Sequence, residues 1–179
     1  GATNLEDFIS LLKLKKPAHL HRAVAEAMTI NETSFFRDLK PFEMLRQVIV
    51  PSLIEQRASD RSLRIWSAAS STGQEAYSIA MLLAENFPEL ARWDVKILGT
   101  DISRYVVEYA RAGRYRRPAV NRGLPARMLL EYLVRDGEEW VVSERVRSMC
   151  EFQSLNLCAR LPTLPEFDRV MLRNVLLYF

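Results

Sequence analysis

One stretch, from Leu63 to Ile79, constrains the fold of this chain more than any other. It begins with a short apolar run that contains Ile65 and Trp66, passes through small and hydroxylic residues, and ends in an amphipathic pattern with helical spacing. A strand that leads through a small-residue turn into a helix is how open α/β sheets build ligand sites. In such a turn a ligand can approach the backbone, and the first N–H groups of the helix have no partners within it.

The composition of this turn restricts the kind of ligand. It contains a single glycine, Gly73, and therefore matches neither G-x-G-x-x-G nor the G-x-x-x-x-G-K-[ST] phosphate loop. No Lys or Arg occurs between Ile65 and Leu90, so a nucleoside triphosphate is not expected. Glu75 lies in the first turn of the predicted helix, where a carboxylate complements the helix dipole and also suits a cationic ligand group.

The alternation of strand and helix continues after this stretch. Apolar runs at 63–68 and 95–100 predict strands, and helical patterns follow them at 74–86 and 103–112. Strands that alternate with helices indicate a parallel sheet with helices packed on its faces. The fold class expected from these patterns is α/β.

A different pattern interrupts the sheet. Residues 111–127 are rich in Arg, Pro and Gly and are expected to be mostly loop, and a short helix is predicted over 124–134. Strands are predicted at 140–142 and 150–154, and we interpret them together as an inserted β-element. The run 170–172 then returns to the main sheet.

These patterns predict the domain organisation. We expect an N-terminal helical domain over residues 1–40, a linker helix over 41–62, and the α/β domain over 63–179 with a β-subdomain inserted at about 114–149. The chain stops at Phe179, where the next helix of the sheet is due. We therefore expect the C-terminal strands of the sheet to be missing.

Composition narrows the functional class. The 179 residues are 49% hydrophobic and 26% charged, which is ordinary for a globular protein, and the net charge of +3 permits an acidic partner without requiring one. Without a signal-peptide pattern, and with Cys150 and Cys158 expected as reduced thiols, the prediction is a cytoplasmic protein with no membrane insertion. His19 and His21 lack ligand-type neighbours, so no metal site is assigned.

The arginines of residues 111–127 have two interpretations. A cluster of this kind usually forms a solvated face, and otherwise it docks an acidic surface. Nucleic acid is not expected as a partner, because the cluster lacks interleaved aromatic residues and the whole-chain charge is low.

Polar residues near the predicted strand ends form the candidate site. Asp101 ends the second strand, where it could bind ribose hydroxyls or cap the next helix, and the nearby turn favours the ribose. Arg173 ends the last strand, and by the switch-point rule it faces the same crevice. Asn156 follows another predicted strand end; its amide could bind a purine edge or be an ordinary turn residue.

A further polar group lies between two predicted helices, in the sequence INETSFFRD from Ile30 to Asp38. A capped helix junction would explain its two phenylalanines. Asn31, Thr33 and Arg37 together are more polar than a junction requires, so they are candidates for ligand binding.

Taken in order, NETSFFR, IWSAASSTGQEAYSIAM, ILGTDIS, a later NL and RNVLLYF closely resemble the chemotaxis receptor methyltransferase family, CheR. The resemblance runs from about Leu5 to Phe179. It implies a small helical domain followed by a Rossmann-like S-adenosylmethionine-dependent methyltransferase domain with an inserted antiparallel β-subdomain. It also implies methyl transfer from S-adenosylmethionine to glutamate side chains of methyl-accepting chemotaxis proteins, which gives glutamate γ-methyl esters.

The resemblance also assigns residues. It implies that Arg37 and Tyr178 lie closest to the transferred methyl group, that no metal takes part, and that the enzyme is a monomer acting on the cytoplasmic domains of receptors in membrane arrays. The cofactor-binding residues that it implies are Asn31, Thr33, Arg37, Ala69, Gly73, Glu75, Asp101, Asn156, Leu157, Leu172 and Arg173.

Two departures from the family pattern affect these expectations. Ala69 stands where the family commonly has glycine, and cofactor binding is expected to survive because alanine is small. The turn at 135–139 has one glycine, whereas members that bind a receptor's C-terminal pentapeptide carry a longer, glycine-rich loop. We therefore expect a pentapeptide-independent enzyme. The alternative is a non-catalytic S-adenosylmethionine-binding module of a larger sensory protein, and a small-molecule methyltransferase is a third possibility.

Overall fold

The computed structural model describes residues 4–13, 18–29 and 31–178. The chain divides into two compact units, Gly1–Ile30 and Asn31–Phe179. The domain boundaries proposed from the sequence stay a prediction.

Helices α1 and α2 belong to the first unit, and the remaining elements belong to the second. In chain order the elements are α1 (Leu5–Lys13), α2 (Ala18–Met28), α3 (Lys40–Met44), a π-helical segment (Leu45–Ile49), α4 (Val50–Gln56), β1 (Ser62–Ala68), α5 (Gln74–Asn86), a 3₁₀ helix (Pro88–Arg92), β2 (Asp94–Asp101), α6 (Arg104–Ala112), β3 (Arg114–Arg116), α7 (Arg117–Asn121), α8 (Ala126–Tyr132), β4 (Leu133–Asp136), β5 (Glu139–Val142), α9 (Glu144–Arg147), β6 (Cys150–Ser154), β7 (Arg169–Leu172) and a 3₁₀ turn (Leu176–Tyr178).

A four-stranded parallel sheet in the order β6-β2-β1-β7 forms the centre of the second unit. Ala68 at the end of β1 pairs with Thr100 of β2 on one side and with Leu172 of β7 on the other. The carboxyl ends of these strands therefore meet at one edge of the sheet. This architecture confirms the α/β class predicted from the sequence.

Helix α5 covers the sheet with an almost wholly buried surface. Tyr77, Ile79 and Leu83 of this helix lie in the same hydrophobic cluster as Ile65 of β1 and Ile97 of β2, and all five are 0–1% exposed. Burying side chains of this size contributes about 1.5–3 kcal/mol each. The helix start at Gln74, and with it the position of Glu75, is held by this packing.

The strand at Cys150–Ser154 corrects one interpretation from the sequence. We expected it to belong to the inserted β-element, but it pairs in parallel with Ile97–Asp101 of β2 in the main sheet. As an edge strand it exposes Glu151 and buries Phe152. Such alternation is typical of half-exposed antiparallel strands, so the pattern was ambiguous.

The inserted β-element is a three-stranded antiparallel sheet in the order β3-β5-β4. Its hairpin turns tightly between Asp136 and Glu139, which pair with each other, and Gly137 has a φ of +61°.

Among the described residues, no helix is long and apolar enough to cross a membrane.

Candidate functional site

The site lies where the strand order reverses. The chain builds outward from β1 to β2 and β6, and then returns to place β7 on the other side of β1. In open α/β sheets, ligands bind outside the carboxyl ends of the strands at this switch point. Three parts of the candidate site lie at these strand ends: the loop that follows β1, Asp101 at the end of β2, and Arg173 directly after β7.

The loop after β1 is conformationally strained. Ala69, Ser71 and Gly73 all have positive φ values, of +57°, +50° and +92°. A left-handed conformation costs a non-glycine residue about 1–2 kcal/mol. At Gly73, moreover, a Cβ would lie 2.8 Å from the Cβ of Ala110, so only glycine fits there. Strain of this kind persists only where the surroundings fix the backbone.

Hydrogen bonds from the loop backbone supply that constraint. The N–H of Ser70 donates to the carbonyl of Thr100 at 2.8 Å, and the N–H of Gly73 donates to the carbonyl of Ser70 at 3.0 Å. The N–H of Ser71 donates to Oδ2 of Asp101 at 2.9 Å. These N–H groups are therefore not available to a phosphate, in agreement with the sequence argument against a triphosphate.

The carboxylate of Asp101 connects this loop to the start of the next helix. Its Oδ1 accepts a hydrogen bond from the N–H of Ser103 at 3.0 Å, and the side chain is almost completely buried. Burial raises the pKa of Asp101 above its ordinary value, while the N–H groups of Ser103 and Ser71 act in the opposite direction. Ser103 is the N-cap residue of α6, and no side chain caps this helix, so the capping role considered from the sequence is not observed. Each carboxylate oxygen of Asp101 retains capacity to accept from a ligand.

Glu75 is held by two contacts in the first turn of α5. Its Oε1 accepts from the hydroxyl of Ser67 at 2.8 Å, and its Oε2 accepts from Nη1 of Arg173 at 2.9 Å. The side chains of Glu75 and Arg173 are 14% and 15% exposed. Burial raises the pKa of Glu75, and the hydrogen bond from Ser67 and the charge of Arg173 oppose that rise.

Arg173 also binds the segment that follows Ile30. Its Nη2 donates to the carbonyl of Arg37 at 2.7 Å and to Oδ2 of Asp38 at 3.0 Å. The guanidinium carbon lies 5.5 Å from the centre of the Phe42 ring, within range of a cation–π interaction. One side chain thus joins β7, α5 and the polar segment.

We refer to residues 31–38 as the polar segment. The carbonyl of Asn31 accepts from the hydroxyl of Ser71 at 3.0 Å, which places the start of the segment beside the loop after β1. Thr33 is half-buried within it. Nη1 of Arg37 donates to the carbonyl of Glu32 at 2.7 Å, so the segment also folds back on itself.

The remaining predicted residues are less integrated. Asn156 is exposed, and its Oδ1 accepts from the N–H of Cys158 at 2.9 Å, which is the turn role considered from the sequence. Leu157 is half-buried, and Leu172 is 36% exposed at the end of β7. The side chain of Tyr178 lies outside the described residues.

Sequence reasoning missed four residues that complete the arrangement. Ser67 and Asp38 hold Glu75 and Arg173, and Ser71 joins Asn31 to Asp101. The hydroxyl of Ser78 accepts from the N–H of Phe36 at 2.9 Å and donates to the carbonyl of Gln74 at 2.6 Å. All four lie within sequences quoted above, but their place there gave no indication of which neighbours they would reach.

The donor and acceptor set fits S-adenosylmethionine. Glu75 and Asp101 offer carboxylates suited to an ammonium group and to ribose hydroxyls, and Arg173 offers a cation suited to a carboxylate. Oγ of Ser70, in the loop after β1, is buried without a hydrogen-bond partner. Within residues 4–13, 18–29 and 31–178, no cluster of three or more His, Cys, Asp or Glu could hold a metal ion.

Comparison with known proteins places the chain in a family. Residues 31–179 match the family model described as CheR methyltransferase, SAM binding domain. The chain therefore belongs to the CheR methyltransferase family, and the resemblance identified from its motifs is confirmed.

Individual relatives agree with this assignment. The chain is 40% identical to chemotaxis protein methyltransferase 1 of Pseudomonas aeruginosa and 38% identical to chemotaxis protein methyltransferase Cher2 of Pseudomonas putida; each match covers 100% of this chain and 66% of the relative. It is 36% identical to a probable chemotaxis protein methyltransferase of Rhizobium etli, over 100% of this chain and 68% of the relative. The chain thus spans about two thirds of the length of the curated relatives that it matches.

The positive φ of Ala69 yields a stability prediction. We expect Ala69→Gly to raise the free energy of unfolding by about 0.5–1 kcal/mol, because relief of left-handed strain exceeds the added entropy of the unfolded chain. Urea denaturation measures the change. The control Ala84→Gly, within α5, is expected to lower the free energy of unfolding by about 1 kcal/mol. Destabilisation by both substitutions would contradict the prediction.

Proposed function

We propose that this protein is a protein-glutamate O-methyltransferase that transfers a methyl group from S-adenosylmethionine to glutamate side chains of methyl-accepting chemotaxis receptors, and so acts in chemotactic adaptation. The family assignment and the names of the relatives support methyl transfer in chemotaxis. The receptor glutamate as acceptor is carried by the motif resemblance and by the chemistry of the site.

One observation carries the proposal. A largely buried carboxylate, Glu75, and a largely buried guanidinium, Arg173, meet at the switch point. The loop after β1 lies at the same edge of the sheet, and three of its N–H groups, those of Ser70, Ser71 and Gly73, are already bonded. A ligand that suits this set has an ammonium group, a carboxylate and hydroxyl groups, and needs no phosphate. S-adenosylmethionine supplies those groups and carries its methyl on a cationic sulfonium.

We propose that Glu75 binds the amino group of the cofactor and that Arg173 binds its carboxylate. Asp101 accepts hydrogen bonds from the ribose hydroxyls. Asn31, Thr33, Ala69, Gly73, Asn156, Leu157 and Leu172 complete the cofactor-binding set.

The reaction asks little acid–base chemistry of the protein. A receptor glutamate is ionised at pH 7, so its carboxylate is nucleophilic without a general base. The chain must align the carboxylate, the methyl group and the sulfur. In favourable cases such alignment lowers the activation barrier by roughly 7–11 kcal/mol. Arg37 is proposed to orient a carboxylate, from the acceptor or from the cofactor, and Tyr178 to lie near the transferred methyl group.

The proposed setting follows from the family. The partners are the cytoplasmic domains of chemotaxis receptors, and the enzyme works as a cytoplasmic monomer recruited to receptor arrays. The alternative, a non-catalytic module of a larger sensory protein, predicts cofactor binding without methyl transfer. Label transfer from methyl-labelled S-adenosylmethionine to receptor cytoplasmic domains, with a base-labile product, distinguishes the two.

Arg37 gives the first test. We expect Arg37→Ala to lower kcat/KM for receptor methylation on the order of 100-fold or more, because a charged group that orients a reacting carboxylate is lost. The fold is expected to persist, since the contact with Arg173 uses the Arg37 backbone carbonyl. Label transfer measures the rate, and thermal unfolding checks the fold.

The matched control for this variant is Arg92→Ala. Arg92 is exposed and lies in the 3₁₀ helix before β2, at the amino end of the sheet. It is expected to methylate receptor domains at the unsubstituted rate. Unsubstituted turnover by Arg37→Ala would remove Arg37 from the mechanism.

The raised pKa of Glu75 gives a second test. An ionised Glu75 binds the ammonium group, and a protonated one does not, so affinity for S-adenosylhomocysteine is expected to fall as the pH drops through a pKa that lies above 4.5. Below that pKa the ionised fraction of Glu75 falls about tenfold for each unit by which the pH is lowered, and the Kd for S-adenosylhomocysteine rises by up to the same factor. Calorimetry from pH 7 down to the lowest pH at which the protein remains folded measures the effect.

Two variants isolate the contribution of Glu75 from that of Asp101, whose pKa is also raised. Glu75→Gln is expected to bind weakly at pH 7 and to lose the part of the pH dependence that Glu75 supplies. Glu89→Gln, at an exposed position before β2, is expected to keep the original profile. Identical profiles for all three proteins would contradict the role of Glu75.

The hairpin between β4 and β5 gives a test of receptor recognition. Its turn is closed by the Asp136–Glu139 pair and contains one glycine, Gly137. A hairpin this short supports pentapeptide-independent action. Calorimetry with a receptor C-terminal pentapeptide is expected to show no micromolar binding, and micromolar binding would contradict the prediction.

A further inference from the structure

Gly123, which belongs to none of the quoted motifs, touches the backbone of the polar segment. It lies between α7 and α8 with a φ of +86°. A Cβ built there would lie 2.0 Å from the carbonyl oxygen of Phe35 and 3.2 Å from its carbonyl carbon. Because the obstacle is backbone, it cannot turn aside as a side chain could. Only glycine allows these two backbone segments to approach this closely.

The neighbouring residue adds a second contact with the same segment. Nη2 of Arg122 donates to Oε1 of Glu32, and this pairing lowers the pKa of Glu32. The backbone carbonyl of Glu32 accepts from Nη1 of Arg37. Both side chains of the pair are more than half exposed, so it orients the segment rather than stabilising the fold strongly.

The opposite side of the polar segment is anchored to α5. The N–H of Phe36 donates to the hydroxyl of Ser78, and the ring of Phe35 is completely buried. Phe36 and Asp38 have positive φ values of +48° and +55°, so the segment does not rest in its own preferred conformation. A backbone held in this way needs support from both sides.

We propose that Gly123 and Arg122 are positioning residues that hold the polar segment against α5, and thereby set the position of Arg37. Arg173 binds the backbone carbonyl of that same residue, so a displaced segment also withdraws one partner of Arg173. The consequence for cofactor binding rests on the function proposed above, whereas the positioning itself does not.

The test compares two glycine substitutions. Gly123→Ala and Gly137→Ala both place alanine at a positive φ, of +86° and +61°, but the Cβ at Gly137 meets nothing within 4 Å. Both substitutions therefore impose strain at a positive φ, and only Gly123→Ala adds a collision with the backbone of Phe35. We expect the amide of Phe36 to exchange its hydrogen about tenfold or more faster in Gly123→Ala than in Gly137→Ala. We also expect the Kd of Gly123→Ala for S-adenosylhomocysteine to rise on the order of 10- to 100-fold.

A second pair of variants applies if Gly123→Ala does not fold. Arg122→Ala leaves the backbone contact intact and is expected to speed Phe36 exchange and to weaken S-adenosylhomocysteine binding about 2- to 5-fold. Arg135→Ala, which removes another exposed arginine of the inserted element, is expected to change neither.

The outcomes separate this proposal from the proposed function. The positioning role is overturned if the Phe36 amide exchanges at the same rate in Gly123→Ala and in Gly137→Ala. If Gly123→Ala does not fold, equal Phe36 exchange rates in Arg122→Ala and Arg135→Ala overturn it instead. If the unsubstituted chain does not bind S-adenosylhomocysteine, the proposed cofactor is wrong, and Phe36 exchange alone decides the positioning role.

Discussion

The ion pair between Arg173 and Glu75 is the interaction on which the site depends. Both side chains are largely buried, and the guanidinium also binds the Arg37 carbonyl and Asp38. A planar guanidinium can satisfy acceptors on several sides at once, which a lysine ammonium on a flexible stem does less well. Because its partners come from α5 and the polar segment, this side chain joins parts of the chain that are far apart in sequence. Removing one partner of such a pair leaves a buried charge without compensation.

The loop after β1 shows how the fold maintains a strained backbone. Ala69, Ser71 and Gly73 are left-handed, and main-chain N–H groups hold the loop around them: Ser70 donates to Thr100, Ser71 to Asp101 and Gly73 to Ser70. The same bonds occupy the N–H groups of Ser70, Ser71 and Gly73, which are then not free to bind a phosphate. The way in which the strain is compensated therefore agrees with the argument against a triphosphate that the lack of basic residues gives.

Much of the fold could be predicted from local pattern. Helix α5 begins and ends where the sequence predicted, at Gln74 and Asn86, and β1 starts one residue early, at Ser62. These elements are buried and strongly patterned, so local sequence and tertiary packing favour the same structure. The membership of β6 in the main sheet was not predictable in this way, because an edge strand has the alternation of an antiparallel strand.

By itself the sequence determined the α/β class, the positions of Glu75 and Asp101 on their elements, and the family, because hydrophobic periodicity and motif order are local properties of the chain. Only the tertiary structure decided which side chains meet: that Ser67 bonds to Glu75, that Arg173 reaches the polar segment, and that Gly123 lies against Phe35. Contacts between residues far apart in the chain depend on strand order and on backbone approach. Neither leaves a periodic signal in the sequence.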